Sequence, residues 1–476
     1  SGIAVFNYNV GAIFVIIFVS LFFLPFYIKS GIYTIPEYLG RRFDNRSRKY
    51  FSFITIIGNV FLDAGAALYT GALILKIIFP EIDMMWIIIG MALMAGTYTI
   101  IGGLSSAINA DMIQSIILIA GSVLLSIFCF NSVEGWENFV EHFHDGVWLN
   151  LIRPNSDTTV PWFSIFLSIP ILGFYFWGNN QVIVQRVMSA KTVNEGRLGF
   201  LFVAFLYVFT LFIFIAPGMV GRMIDLFGVG DTLPNEIIGG NTLRAQYGID
   251  TNEVYPRLIL KLLPVGLIGV MIACMVSALT STLSATLSSV STLFTMDFYK
   301  SWRPESSPRH LVRVGQWTSF IALVVAVLWA PLIGKFASLV AYYQEFSSYL
   351  APPIVGTFLV GLFWKGSTRN GAFAGLMSGL AMSALIMTYK FGFGGVVPFH
   401  FLLWVPILLI LSVLVNIIVS KCDRNKETDV ETYTWNKSVW QDDTRELKTV
   451  PWYKNFRYIS IALIIIALLA VSYTHL

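Results

Sequence analysis

Residues 263–295 read LPVGLIGVMIACMVSALTSTLSATLSSVSTLFT, an apolar run without one charged side chain. About 20 such residues cross the hydrocarbon core of a bilayer, so this stretch is long enough to span it. In lipid every backbone N–H and C=O needs a partner inside the span, which makes it a helix. Ala278, Ser281 and Thr282 stand at i, i+3 and i+4, on one helical face. A hard cation such as sodium takes oxygen ligands, and hydroxyls with a freed carbonyl supply them. Being neutral, such a site also holds the ion weakly enough to release it. The same residue types commonly bond back to the i−4 carbonyl or join neighbouring helices, and spacing alone leaves both readings open. Ser277, Ser281, Ser284, Ser288 and Ser291 extend the polar row, as the lining of an exit path or as a close-packed seam.

The rest of the chain reads the same way. Of 476 residues 56% are hydrophobic and 12% charged, with a mean hydropathy of +0.72. A soluble domain of that length cannot hide so much apolar surface. Apolar runs predict twelve spans, near 9–28, 50–79, 85–102, 108–130, 161–185, 198–221, 263–295, 313–333, 338–363, 371–389, 399–420 and 457–473. The fold class is therefore an all-α polytopic membrane protein, a single transmembrane domain over 1–476. Its partners are the bilayer and a small molecule.

The loops orient it. Lys29, Arg41, Arg42, Arg46, Arg48 and Lys49 crowd the 29–49 loop. Basic residues recur at alternate loops: Arg186, Lys191 and Arg197, then Lys300, Arg303, Arg309 and Arg313, then Lys365 and Arg369, then the 421–456 segment. The 131–160 loop is acidic, with Glu134, Glu137, Glu141 and Asp145. By the positive-inside rule the 29–49 side is cytoplasmic, and so is the 421–456 loop. The 222–262 loop also holds Arg222, Arg244, Arg257 and Lys261, but long loops obey the rule less strictly. The net charge of +4 is spread over loops rather than gathered in a nucleic-acid patch. Cys129, Cys274 and Cys422 are scattered and show neither disulfide nor metal-ligand spacing; the only metal expected is the sodium of the Ala278–Thr282 face, and no organic cofactor is expected. The expected location is a plasma membrane, multi-pass, of the bacterial inner-membrane kind. The final Val471–Leu476 fits one frame of a sequencing-adapter end and is set aside as an expected artefact.

Two spans contain helix breakers. Pro170, Gly173 and Gly178 interrupt 161–185, and Pro352, Pro353 and Gly356 interrupt 338–363. Breaks free backbone carbonyls, which lipid tolerates only against protein or a wet cavity. They mark transporters with discontinuous helices at the midplane, or else simple packing kinks.

Five blocks resemble the sodium/solute symporter family, especially its sugar branch. They are Gly31-Ile32-Tyr33-Thr34-Ile35-Pro36-Glu37-Tyr38, then Tyr98-Thr99 through Gly102-Gly103-Leu104 with Asp111 and Gln114. Tyr175-Phe176-Trp177-Gly178 with Asn180-Gln181 and Gln185-Arg186 follows, then Phe294-Thr295-Met296-Asp297-Phe298-Tyr299, then Gln344-Glu345 with Gly361-Leu362-Phe363-Trp364-Lys365. They stand in family order across nearly the whole chain. The resemblance implies a leucine-transporter-type inverted-repeat fold, with about twelve of the family's fourteen helices present. Ser1 then falls just before the second core helix, and this fragment is expected not to transport by itself. The implied activity is sodium-coupled symport of a small polar solute, most simply a sugar, by alternating access.

The resemblance also assigns residues. Ala278 gives a carbonyl, and Ser281 and Thr282 give hydroxyls, to sodium. Asp111 with Ser284 matches a second ion site in relatives that use two ions, although Ala285 replaces one of its hydroxyls. Gln344, Asn9, Tyr8 and Trp177 match substrate positions, and Phe176 a gating aromatic. Asn9 stands where sugar transporters usually have Glu, Gly173 where the galactose-transporting relative has Asn, and Tyr207 where it has Lys. These departures leave another sugar, inositol or a sugar acid open as the solute, and an amino acid or a vitamin stays open because those branches share the sodium-site pattern. Asp63, a carboxylate in a span, has no assigned role. A transporter-like membrane sensor is the alternative from another class. An enzyme is the weakest reading, because no nucleophile–base constellation stands out, and no phosphate-cradling loop of a primary pump is present.

Overall fold

The computed structural model describes residues 2–144, 147–157, 159–227, 251–336, 338–395, 399–423, 431–448 and 450–473. Among the described residues nine helices are long and apolar enough to cross a membrane, and the bent pair Val193–Val208 with Leu211–Ile224 makes a tenth. Two shorter apolar helices, Met84–Thr97 and Phe456–Ser472, fall on the remaining expected spans. In chain order the helices are α1 Phe6–Phe22, α2 Ile35–Arg42, α3 Asn45–Ile78, α4 Met84–Ser132, α5 Trp162–Asn179, α6 Gln181–Met188, α7 Val193–Val208 and α8 Ala216–Phe227. They continue as α9 Val265–Leu293, α10 Pro308–Ile333, α11 Leu339–Phe363, α12 Arg369–Met387, α13 Phe401–Cys422, α14 Lys437–Leu447 and α15 Phe456–Tyr473. Local chemistry starts many of them. Ser338, Thr368 and Ser307 each accept a backbone N–H at the N-terminus of α11, α12 and α10, and Pro308 opens α10.

Two expectations are corrected. The spans at 85–102 and 108–130 are not separated by a break, because α4 runs unbroken from Met84 to Ser132. Only Gly102 and Gly103 weaken the junction, and a glycine costs about 1 kcal/mol where a proline costs about 3 kcal/mol. Likewise Pro352 and Pro353 do not interrupt α11. Pro353 has no N–H for the carbonyl of Tyr349, but the Ser383 hydroxyl of α12 donates to that oxygen at 2.7 Å. With this acceptor satisfied by a neighbour, the helix continues through the prolines.

The expected break in 161–185 is present. Trp162–Leu167 ends at Ser168, Pro170 opens Ile169–Phe174, and Tyr175–Asn179 is a π-turn. Asn180 is extended, at ψ 119°, and its side chain caps α6 by accepting from the Val182 N–H at 2.8 Å.

The helices pack around two main cores. One joins α3, α4, α9 and α10 through Leu68, Ile88, Leu283 and Leu323. The other joins α1, α5, α7, α11, α12 and α15 through Ile16, Phe174, Leu201, Phe358, Leu376 and Leu463. Gly375 makes the α12–α13 approach possible, since a Cβ there would stand 2.7 Å from the Ser412 carbonyl. The segment after α13 turns back onto the bundle. Trp435 N–H donates to the Leu362 carbonyl at 2.9 Å, and the Tyr38 hydroxyl donates to the Tyr433 carbonyl at 2.9 Å. In α14, Asp443 pairs with Arg197 of α7 at 2.7 Å, both side chains almost wholly buried.

Candidate functional site

Helices α1, α5, α7 and α11 enclose a cavity of about 170 Å³. Tyr8 and Asn9 reach it from α1, Phe176 and Trp177 from the π-turn of α5, and Gln344 from α11. All five residues singled out for the solute therefore line one cavity. So do Gly173 and Tyr207, the two other departures from the galactose pattern. Gly173 has a packing reason: a Cβ there would meet the Val15 side chain at 3.2 Å, so glycine lets α5 close on α1.

The cavity has an aromatic side and an amide side. Trp177 meets Phe176 and Tyr207 edge-on, at ring-centroid distances of 5.3 and 5.5 Å. Such a corner offers a flat apolar face and is held rigid by its neighbours. Beside it, the Asn9 amide donates to the Thr210 hydroxyl, which in turn donates to the Tyr207 carbonyl at 2.6 Å. That chain fixes the Asn9 side chain and leaves its carbonyl oxygen as an acceptor. Gln344 is half-buried at the wall, with one acceptor and two donors on its amide. Aromatic faces beside a few placed amides suit a compact solute bearing several hydroxyls.

Tyr343 also lines the cavity, and through it a polar contact joins α11 to α3. The Tyr343 hydroxyl, from the residue before Gln344, donates to Asp63 Oδ1 at 3.0 Å. The Asn180 side chain, at the break between α5 and α6, also hydrogen-bonds Asp63. Asp63 sits on a π-turn of α3, Asn59–Ala64, and the Tyr342 hydroxyl donates to the Phe61 carbonyl in that turn at 2.9 Å. A π-turn misaligns the helix ladder and frees acceptors, which is why such turns gather side-chain donors. Asp63 drew notice in the sequence as a carboxylate in a span. Of its partners, Asn180 stood in a motif block with no tie to Asp63, and Tyr343 did not draw notice, because it has neither a charge nor a spacing that marks it.

The ion-site candidates stand apart from the cavity wall. Ala278, Ser281, Thr282 and Ser284 lie on α9, with Ser281 and Ser284 buried and Thr282 exposed. The Thr282 hydroxyl donates to the Ala278 carbonyl at 3.0 Å, the i−4 back-bond that the spacing leaves open beside the ion reading. The side chain of Asp111 lies outside the described residues. Ala285 is buried beside Ser284.

The model of the sodium:solute symporter family matches residues 1–379. Solute carrier family 5 member 4 of Rattus norvegicus is 32% identical over 459 residues, covering 88% of this chain and 67% of that protein. The sodium/mannose cotransporter SLC5A10 of Bos taurus is 32% identical, covering 82% of this chain and 68% of that protein. Sodium/glucose cotransporter 1 of Oryctolagus cuniculus is 30% identical, with 88% and 68% covered. The chain thus spans about two thirds of the length of the curated relatives it matches, and 63% of solute carrier family 5 member 4A of Mus musculus. A solved Na+-coupled sialic acid symporter, in a substrate-bound outward-open state, shares the fold at a TM-score of 0.70 and 22% identity, with 88% of this chain and 84% of that one covered.

Proposed function

This chain belongs to the sodium:solute symporter family, and from that premise we propose that it carries a small polyhydroxylated solute, a sugar in the first instance, across the membrane with sodium. The observation that carries the reading is the shared cavity of Tyr8, Asn9, Phe176, Trp177 and Gln344. Trp177 and Tyr8 cover an apolar face of the solute, while Asn9 and Gln344 bond its hydroxyls. Phe176, at the corner of the broken α5, closes the path. Asn9 in place of a carboxylate removes a charge and adds a donor, which favours a neutral polyol or hexose over a cationic solute. Buried polar groups discriminate strongly, because a solute lacking the matching group leaves them unpaired.

Sodium binds through the Ala278 carbonyl and the Ser281 and Thr282 hydroxyls; Asp111 and Ser284 form a second, less complete ion site. One sodium ion moving down a 100 mV potential supplies about 2.3 kcal/mol, enough for about fiftyfold accumulation of a neutral solute. The two cores, linked at Asp63, rock about the cavity as alternating access requires. The membrane is a plasma membrane, and the free thiols of Cys129, Cys274 and Cys422 suit a bacterial inner membrane.

The test is uptake into liposomes by the complete gene product, offered labelled sugars, polyols, sugar acids and amino acids with an inward sodium or potassium gradient. Sodium-dependent uptake of one polyhydroxylated solute, lost in Ser281→Ala with Thr282→Ala, is the expected result. Uptake indifferent to sodium would remove the ion assignment, and sodium-driven uptake of an amino acid alone would remove the solute class.

A further inference from the structure

A second and larger concavity lies between α3, α10 and the turn that follows α9, away from the solute cavity. Its volume is about 760 Å³. Along its length it is apolar, lined by Ile57, Phe61, Val290, Phe294, Ile321 and Val325. Two π-turns border it, Asn59–Ala64 in α3 and Phe294–Tyr299 after α9. At one end the lining changes to Tyr299, His310 and Arg313, flanked by Trp302 and Trp317. The Tyr299 hydroxyl and His310 Nε2 are hydrogen-bonded at 2.7 Å.

Three features point to one class of occupant. The first is exposure: Trp317 is 67% and Ile321 60% accessible on an apolar span, so the groove opens to the lipid. The second is length. From Val314 to Val325 the lining of α10 spans twelve residues, a rise of eleven steps. At 1.5 Å per residue that is about 16 Å, close to the ~15 Å of one leaflet's hydrocarbon. The third is charge. The polar end meets the 300–313 loop, where Lys300, Arg303, Arg309 and Arg313 face a single acid, Glu305. Among the described residues no carboxylate pairs with Arg313. The same loop lies on the side that the positive-inside rule makes cytoplasmic, where membranes carry anionic lipid.

We propose that this groove binds an anionic phospholipid of the cytoplasmic leaflet, one acyl chain lying along Ile321 and Val325 and the phosphate meeting Arg313 and the Tyr299–His310 pair. A guanidinium donates two parallel N–H bonds to phosphate oxygens, and the two tryptophans hold the interface level. The site adds a lipid ligand to the protein whatever solute it carries.

Tryptophan quenching tests it in reconstituted vesicles of phosphatidylcholine. A small fraction of either phosphatidylglycerol or phosphatidylcholine is brominated on the acyl chain. The chain has 13 tryptophans, so the signal read is the difference between wild type and Trp317→Phe. The expected result is stronger Trp317-dependent quenching by the brominated phosphatidylglycerol. Arg313→Gln should lower that preference about fivefold, the factor equivalent to about 1 kcal/mol per basic residue near an anionic surface. Arg313→Lys should keep much of it. Val325→Phe narrows the groove with its charges intact, and should weaken quenching by both lipids even if Arg313→Gln fails to fold. Equal quenching by the two lipids in wild type would reduce the groove to ordinary lipid contact and overturn the proposal. So would quenching unchanged in Val325→Phe. No Trp317-dependent quenching by either lipid would mean that protein, such as a second copy, covers the groove, and would overturn it too.

Discussion

Asp443→Ala should loosen α14 from the bundle by a large and measurable factor. Arg197 and Asp443 are 2% and 3% exposed at the side chain, and their charges meet at 2.7 Å. The Arg197 Nε also donates to the Ser20 carbonyl at 2.9 Å, and the guanidinium lies 4.1 Å from the Phe456 ring centroid. Truncating Asp443 leaves a cation buried among these groups with its main counter-charge gone. Breaking a buried pair in this way costs about 3–5 kcal/mol. Removing both charges is close to neutral when the volume is kept, so Arg197→Met with Asp443→Leu should recover most of the loss. The assay is limited trypsin cleavage at Arg445, inside α14, followed by mass spectrometry of the peptides. Cleavage there requires the helix to open, and its rate follows the open population when opening is fast. At 1.36 kcal/mol per tenfold change, Asp443→Ala should speed it by about two to nearly four powers of ten. An acceleration under tenfold, or a double variant cut as fast as the single one, would refute the reasoning. The first result would mean that water reaches Arg197 once its partner is removed, and the second that lost packing, not an unpaired charge, sets the cost.

Three further outcomes follow from other contacts. Ser383→Ala removes the hydroxyl that satisfies the Tyr349 carbonyl opposite Pro353, and should cost about 1–3 kcal/mol in an SDS-titration unfolding measurement, whereas Ser378→Ala, whose hydroxyl bonds its own helix, should cost little. Gly375→Ala drives a Cβ toward the Ser412 carbonyl at 2.7 Å and should cost about 1–3 kcal/mol in the same measurement; a neutral result would show that the α12–α13 seam yields. Gln344→Ala should raise the KM for the carried solute about ten- to a hundredfold at nearly unchanged protein yield, and an unchanged KM would take Gln344 out of the solute site.

The membrane character, ten of the span positions and the break at Pro170 could be read from the chain because their causes are local. An apolar run of about 20 residues must be helical in lipid whatever surrounds it. The five cavity residues were legible only through motif blocks, since no spacing rule joins Asn9 to Gln344. Their meeting around one cavity depends on how α1, α5, α7 and α11 pack. The same limit explains the two corrections. Pro352 and Pro353 resemble a break in one dimension, but Ser383 of another helix supplies the missing donor. Nothing between 103 and 107 stops α4, although the apolar pattern pauses there. Asp63 shows the boundary most clearly: its cost is evident from sequence, while its partners lie 280 residues away at Tyr343 and across a helix break at Asn180. Hydropathy and helix propensity act over a few turns of chain. Cavities, buried charge pairs and rescued carbonyls are made between segments distant in sequence, so only the packed structure decides them.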